Sequence, residues 1–320
     1  MNIPERPPPP ASGWTARGLV SIDDLSLAEV NYLLALAEYY AHFLRRGDRP
    51  PQRLAGKTQI NLFYEDSTRT NLSFDLAGKK LGADVLNVPV AASSVNKGES
   101  LIDTAQTLAA MGAHAMIVRH KEPLIHKEIA ARVDCPVINA GDGIREHPTQ
   151  ALLDAATVRA AVGGFAGKTI AICGDVRNSR VAGSGALLFK RLGAEVRFVG
   201  PAEILPPEGA FPGLPRFHAL REGLSGADIV MALRFQFERM GETGAEAARG
   251  YFDRFGLTHR TLAFAKAGAF VMHPGPMNRG VEIDGALADD AERSLILQQV
   301  FNGVATRMAC LDALVTGTRP

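Results

Sequence analysis

Cysteine is scarce in this chain. Cys135, Cys173 and Cys310 are the only three among 320 residues, and they stand far apart. No Cys-x-x-Cys pair and no zinc spacing occurs, which excludes a disulfide framework and a structural zinc module. An odd, sparse count suits a reducing compartment, here the cytoplasm, with each thiol a small buried residue. Charge of one sign is lacking too. Lys and Arg total 35 against 34 Asp and Glu, a formal net charge of +1. That excludes a nucleic-acid binder working through a global basic field. Apolar runs long enough to span a bilayer are missing, as is a signal-peptide core, so no membrane partner is expected.

Nucleotide motifs are also missing. There is no Gly-x-x-x-x-Gly-Lys-Ser/Thr, which disfavours a P-loop kinase or ATPase. Gly174-Asp175 and Gly183-Ser184-Gly185 do not form Gly-x-Gly-x-x-Gly, so a dinucleotide dehydrogenase is a poor reading. What is present is an ordinary globular composition, 46% hydrophobic and 22% charged. At this length it supports two domains, each with its own core.

The chain opens on a Pro-rich stretch, Pro7 to Pro10, and residues 1–17 read as a poorly ordered tail. Residues 25–44 read as a helix, with Leu33, Leu36, Ala37 and Tyr40 near one face. Extended segments follow at 57–64, 84–90, 114–119 and 136–139. Helical patterns at 68–81, 100–111 and 123–132 separate them. The first of these helices carries Leu72, Leu76, Ala77 and Leu81 and stops at Gly82, a fitting C′ residue. Ser100 with Asp103 makes a weak capping box at the second. A long helix at about 148–161 and the turn Gly163-Gly164 precede four more strands, at 168–173, 195–199, 228–233 and 269–272. Strand–helix alternation of this kind implies right-handed crossovers and parallel sheets. A terminal helix over about 291–315 places Phe301, Val304, Met308, Leu311 and Val315 on one stripe. The expected fold is α/β, with two doubly wound parallel-sheet domains.

The apolar run Ile60-Asn61-Leu62-Phe63-Tyr64 feeds Ser67-Thr68-Arg69-Thr70 at the start of a helix. Free backbone N–H groups and a partial positive charge at a helix N-terminus, joined by hydroxyls and a guanidinium, make a phosphate cradle. A plain N-cap is the bland alternative. In open parallel sheets ligands sit beyond the C-terminal strand ends. Other polar clusters fall at such ends: Arg119-His120, His147-Pro148-Thr149-Gln150, Arg180 in the turn after Cys173-Gly174-Asp175, Arg234 with Gln236 and Arg239, and His273-Pro274-Gly275-Pro276. Each alone reads equally well as a helix start, a turn or a surface ion pair. Together they place cation donors and hydroxyls in one cleft between the halves. Carboxylates are scarce among them, which favours binding anions and polarising a carbonyl over metal hydrolysis or paired-carboxylate chemistry.

These segments resemble the carbamoyltransferase family over nearly the whole chain, and within it the catalytic chains of the aspartate branch. The first cluster, Phe63-Tyr64-Glu65-Asp66-Ser67-Thr68-Arg69-Thr70, and His147-Pro148-Thr149-Gln150-Ala151-Leu152-Leu153-Asp154 are shared across carbamoyltransferases. Arg234-Phe235-Gln236-Phe237-Glu238-Arg239 and Met272 to Glu282 are similar to the aspartate branch. The ornithine branch would show Cys-Leu-Pro after the late His. The resemblance implies transfer of the carbamoyl group of carbamoyl phosphate to L-aspartate, an early step of pyrimidine synthesis, with no cofactor and no metal. It implies that Ser67, Thr68, Arg69 and Thr70 hold the phosphate. Arg119, His147 and Thr70 would contact the carbamoyl oxygen, and Gln150 the carbamoyl nitrogen. Arg180, Arg234 and Gln236 would take the aspartate carboxylates, and the backbone at Gly275-Pro276 would close the pocket. Ser93 and Lys97 would reach the neighbouring subunit's site in a homotrimer. A carbamoyltransferase for another amine and a silent scaffold subunit are the rivals. By the same resemblance, residues 18–149 form the carbamoyl-phosphate domain, joined by the C-terminal helix at about 296–320, and residues 150–295 form the aspartate domain. The N-terminal extension raises a dihydroorotase-like partner as a hypothesis, and nucleotide control would need a separate regulatory chain. Asn71 departs from the pattern, since many relatives carry a basic residue after the cradle, and Gly275 stands where some carry Leu.

Overall fold

The computed structural model describes residues 4–88, 98–235 and 244–317, with side chains in the last stretch from Gly250 onward. The chain divides into two compact units, Met1–Ala156 with Val300–Pro320, and Thr157–Gln299.

The first unit opens with helix α1, Leu27–Arg46. Ser26 and Glu29 form a complete capping box, and Gly47 ends the helix in the left-handed conformation at φ 70°, which glycine adopts without steric cost. Leu33, Leu36, Ala37 and Tyr40 are all buried, so the spacing read from the sequence does mark the inner face. Burying side chains of this size contributes roughly 1.5–3 kcal/mol each. A βα succession follows: β1 Thr58–Phe63, α2 Thr68–Lys80, β2 Asp84–Val88, α3 Leu101–Ala110, β3 Ala115–His120, α4 Ile125–Ala130, β4 Val137–Asp142 and α5 Pro148–Val162. The four strands form one parallel sheet in the order β2-β1-β3-β4. Leu62, Met116, Val118, Ile129 and Val137 sit in a core cluster of this unit.

Three readings need correction here. Residues 4–17 are not a loose tail: Trp14 is buried, and the Arg6 guanidinium donates to the buried Asp312 carboxylate at 2.9 Å. Pro-rich segments have little entropy to lose on docking, and a buried aromatic ring supplies the area that holds one down. In α2 the inner face is Thr70, Phe74 and Ala77, while Leu72 and Leu76 point outward, 61% and 42% exposed. Positions 70, 74 and 77 repeat at the helical period, so two leucines of the apparent pattern fall on the outer side. Gly82, at φ 85°, does terminate this helix. The terminal helix α11 runs Ile296–Thr316, starting later than 291 because Asp290 accepts from the amides of Glu292 and Arg293 and Ser294 pairs with Val271. It is buried on nearly all sides from Asn302 to Leu314, rather than along one stripe.

The second unit carries β5 Thr169–Cys173, α6 Arg180–Arg191, β6 Glu195–Val199, β7 Arg216–Phe217, α7 Leu220–Leu224, β8 Ile229–Ala232, α8 Gly244–Phe255, α9 His259–Leu262, β9 Phe270–Met272 and α10 Gly285–Ala288. Its five strands form a second parallel sheet, β7-β6-β5-β8-β9. The central strands β5 and β8 are buried at every position, as expected where helices cover both faces. The helices at 180–191 and 244–255 were not read from the sequence. No helix among the described residues is long and apolar enough to cross a membrane.

Candidate active site

In the first unit the expected residues gather at one edge of the sheet. Register pairs Phe63 at the end of β1 with Arg119 at the end of β3, and the Tyr64 amide donates to the Arg119 carbonyl at 2.9 Å. The turn leaving β1 delivers Ser67 to the N-cap of α2. Ser67 is extended there, yet its side chain makes no capping bond. An N-cap hydroxyl normally closes on the N2 or N3 amide, so Ser67 is not acting as a plain N-cap. Thr68 and Arg69 are exposed, whereas Thr70 is buried. Enough protein surrounds the Arg69 guanidinium to lower its pKa even though its surface is open, and it keeps its charge at neutral pH all the same.

Arg119 is anchored at this edge. One terminal nitrogen donates to the Ala140 carbonyl on β4 at 3.0 Å, and Nε lies 3.7 Å from the Glu65 carboxylate. These contacts fix the guanidinium by its sides. Beyond β4, the segment to His147 is pinned by Glu146, which accepts from the Ser21 hydroxyl at 2.6 Å and the Ile22 amide at 2.8 Å. Burial pushes the Glu146 carboxyl up, against the opposing pull of Ser21, Ile22 and Arg145. His147 is 4% exposed, and its carbonyl accepts from the amides of Gln150 and Ala151 as α5 begins at Pro148. Neighbouring strands β1, β3 and β4 thus bring Ser67–Thr70, Arg119, His147 and Gln150 to one sheet edge.

The second unit carries the remaining expected residues on loops that are tied together. Gly174 closes β5 at φ 118°, and a Cβ there would lie 2.6 Å from the Leu233 carbonyl oxygen. Only glycine lets the two loops approach so closely. One loop leads to Arg180, the other to Arg234. Arg180 is the first residue of α6, not a turn residue; Ser179 caps that helix by accepting from the Ala182 amide. The Phe235 amide, next to Arg234, donates to Glu282 at 3.3 Å, and the Asn278 side chain donates to the Phe235 carbonyl at 3.1 Å. Glu282 also accepts from the Asn278 amide and faces His273 Nε2 at 3.1 Å. Since the Gly275 amide donates to His273 Nδ1 at 2.8 Å, Nε2 carries the proton and donates to Glu282. This lattice fixes Gly275 and Pro276, joined by a cis peptide bond, beside the Arg234 loop. Ser93, Lys97, Gln236 and Arg239 lie outside the described residues.

Several supporting groups escaped the sequence reading: Glu146, Asp154, Glu282 and Arg307. Three stand in or next to recognised motifs without an expected role. Arg307 had one signal, since Arg307 and Asp312 are the only charged residues in α11. No group of three His, Cys, Asp or Glu side chains among the described residues is placed to hold a metal ion. The thiols are poor nucleophiles: burial pushes Cys310 up to about 12 and raises Cys173 and Cys135 as well.

Two parallel sheets, one carrying Ser67–Thr70, Arg119, His147 and Gln150 beyond its strand ends and the other the Arg180 and Arg234 loops, are the frame of an α/β enzyme. The chain belongs to the aspartate/ornithine carbamoyltransferase family: residues 17–160 match its carbamoyl-P binding domain and residues 166–314 its Asp/Orn binding domain. It is 51% identical over 306 residues to the aspartate carbamoyltransferase catalytic subunit of Cereibacter sphaeroides, covering 96% of each chain. It is 54% identical over 298 residues to that of Acidiphilium cryptum, 93% of this chain and 96% of the relative. Among solved structures it is similar to the aspartate transcarbamoylase of Trypanosoma cruzi in complex with carbamoyl phosphate. The TM-score is 0.86 and the identity 31%, over 96% of this chain and 98% of that one.

Proposed function

We infer that the chain is an aspartate carbamoyltransferase, forming N-carbamoyl-L-aspartate and phosphate in pyrimidine synthesis. The observation that carries the reading is the gathering of Ser67–Thr70, Arg119, His147 and Gln150 at one sheet edge. The aspartate branch is supported by the Arg234 loop and by relatives that bear that name at 51% and 54% identity.

In this reading the phosphate of carbamoyl phosphate lies on the amides of α2 and on Ser67, Thr68, Arg69 and Thr70, where helix end and guanidinium meet an anion. Arg119, His147 and Thr70 surround the carbamoyl oxygen, and Gln150 meets the carbamoyl nitrogen. Arg180, Arg234 and Gln236 hold the two aspartate carboxylates, the guanidinium forks providing orientation. The neutral amine of aspartate attacks the carbamoyl carbon. Charge that develops on the carbamoyl oxygen meets donors already in place, the form of stabilisation that costs no reorganisation. Collapse of the tetrahedral species breaks the C–O bond to phosphate, and the amine proton departs, with the leaving phosphate as a candidate acceptor.

The active form in this reading is a homotrimer, with Ser93 and Lys97 completing the site of a neighbouring subunit. Exposed Leu72 and Leu76 on α2 and Leu86, 53% exposed on the edge strand β2, support an assembly. Asp75 and Asn87 join those two elements with a 2.9 Å bond. Three unpaired cysteines fit a cytoplasmic enzyme.

Product formation from carbamoyl phosphate, measured on the purified chain with L-aspartate beside L-ornithine, tests the function. Turnover with aspartate alone is expected. Turnover with ornithine instead would overturn the arginine-loop argument, and no turnover with either would overturn the sufficiency of this chain.

A further inference from the structure

Gln150 is 8% exposed, and its side-chain amide has two unlike ends. A carbamoyl NH₂ offers only donors outside its π system, so the end of Gln150 that meets it must be the oxygen. Nothing intrinsic to a glutamine decides which end points where.

The structure supplies a decision. Gln150 Nε2 donates to the Asp154 carboxylate at 3.0 Å, one helical turn along α5, where i and i+4 side chains meet. A carboxylate only accepts, so it takes the NH₂ end and leaves Oε1 turned away. Asp154 is fully buried, and a buried carboxylate needs a compensating cation. Arg307 of α11, itself 3% exposed, lies near enough for its charge to act on Asp154. Burial lowers Arg307 to about 10, while Cys310 and Asp154 oppose the fall. Its guanidinium donates to the Gly303 carbonyl at 3.2 Å and sits 5.0 Å over the ring of Phe74 on α2. Gly303 is needed for this placement: a Cβ there would come 2.8 Å from an Arg307 terminal nitrogen. Arg307 Nε has no hydrogen-bond partner among the described residues. A buried cation held so incompletely costs stability, which points to a task other than packing.

We propose that Asp154 and Arg307 are positioning residues that lock the Gln150 amide with its oxygen toward the substrate, so that the site selects a carbamoyl NH₂ over a methyl group. The proposal rests on the carbamoyltransferase reading and names the source of its donor specificity. Arg307 also touches the phosphate helix through Phe74, so a single buried charge sets both the cradle helix and the selecting amide.

The test is calorimetric binding of a matched, unreactive pair to the full-length protein: phosphonoacetamide, which keeps the NH₂, and 2-oxopropylphosphonate, which has a methyl in its place. Wild type is expected to prefer the amide by about tenfold, the worth of one well-placed hydrogen bond. Asp154→Asn frees Gln150 to flip, so the preference should fall to within about twofold, with affinity for the ketone unchanged. Because that variant strands Arg307, the charge-neutral pair D154N/R307M is measured beside it and should behave alike. Gln150→Leu is the control for the underlying reading and should lose the preference as well. Loss in Gln150→Leu but full retention in both Asp154 variants would overturn the proposal and leave the reading standing. Equal weakening of both ligands, or loss of the fold in both Asp154 variants, would make Asp154 a packing residue and overturn it too. A wild type that binds neither ligand, or a Gln150→Leu protein with the full preference, would overturn the reading itself.

Discussion

Arg69 shows how little a side chain needs from its own unit to matter for chemistry. It is exposed at the open end of α2, so its removal should leave the fold untouched. Its role in the proposed site is to meet the charge of a phosphate, which no neighbouring residue can replace. Arg69→Ala is therefore expected to lower kcat/KM by about 10²–10³-fold, the range seen when a preorganised donor is lost. Thermal melts of the two proteins should coincide within a few degrees. Near-normal turnover would remove the cradle assignment. Ser67 and Gln150 carry the same lesson at finer grain: an N-cap hydroxyl that caps nothing, and an amide whose orientation is imposed from behind.

At the scale of elements, Asp312 binds three segments into one. The N-terminal segment reaches it through Arg6, α1 through the Tyr40 hydroxyl at 2.7 Å, and Arg53 lies 3.2 Å away. The carboxylate is fully buried at side-chain level. Burial alone would raise its pKa, but the Tyr40 and Thr316 hydroxyls and the Arg6 cation outweigh it and hold the group below the ordinary carboxylate range. The unfolded chain then binds the proton more readily than the folded one. Stability from this group is full above the unfolded value near 3.9 and is lost as pH falls through the lower folded value. Asp312→Asn should cost about 2 kcal/mol at pH 7, with the gap to wild type closing below about pH 4. Urea unfolding at pH 7, 5 and 3 reads this directly. A gap that stays constant across that range would mean that the carboxylate's charge is not what matters. The same contacts engage the N-terminal segment with its own chain, which counts against its serving as a free docking arm.

For the whole molecule, the exposed leucines of α2 decide what the isolated chain would do in water. Leu72 and Leu76 leave apolar surface exposed next to the edge strand of the sheet. Unpaired edges and apolar patches are managed by covering them. Light scattering on the purified chain should report a trimer, and Leu72→Glu with Leu76→Glu should yield a folded monomer of sharply reduced activity. A double variant that remains trimeric would place the assembly surface elsewhere. A fully active monomer would end the argument that Ser93 and Lys97 serve a neighbour.

The sequence by itself determined the alternation of strands and helices, the parallel sheets and the strand ends that carry the polar clusters. These are local facts: periodicity, turn residues and short motifs report on neighbours within a few positions. It missed the inward face of α2, because Leu72 and Leu76 satisfy a hydrophobic pattern while pointing outward. It missed α6 and α8, whose glycines lower helix propensity, and so left Arg180 in a turn. Only the tertiary structure joined Arg6 to Asp312 across about 300 positions, and Phe235 to Glu282 across about 50. A buried charge finds its partner through the packing of distant segments in a low-dielectric interior, and no local pattern encodes that meeting.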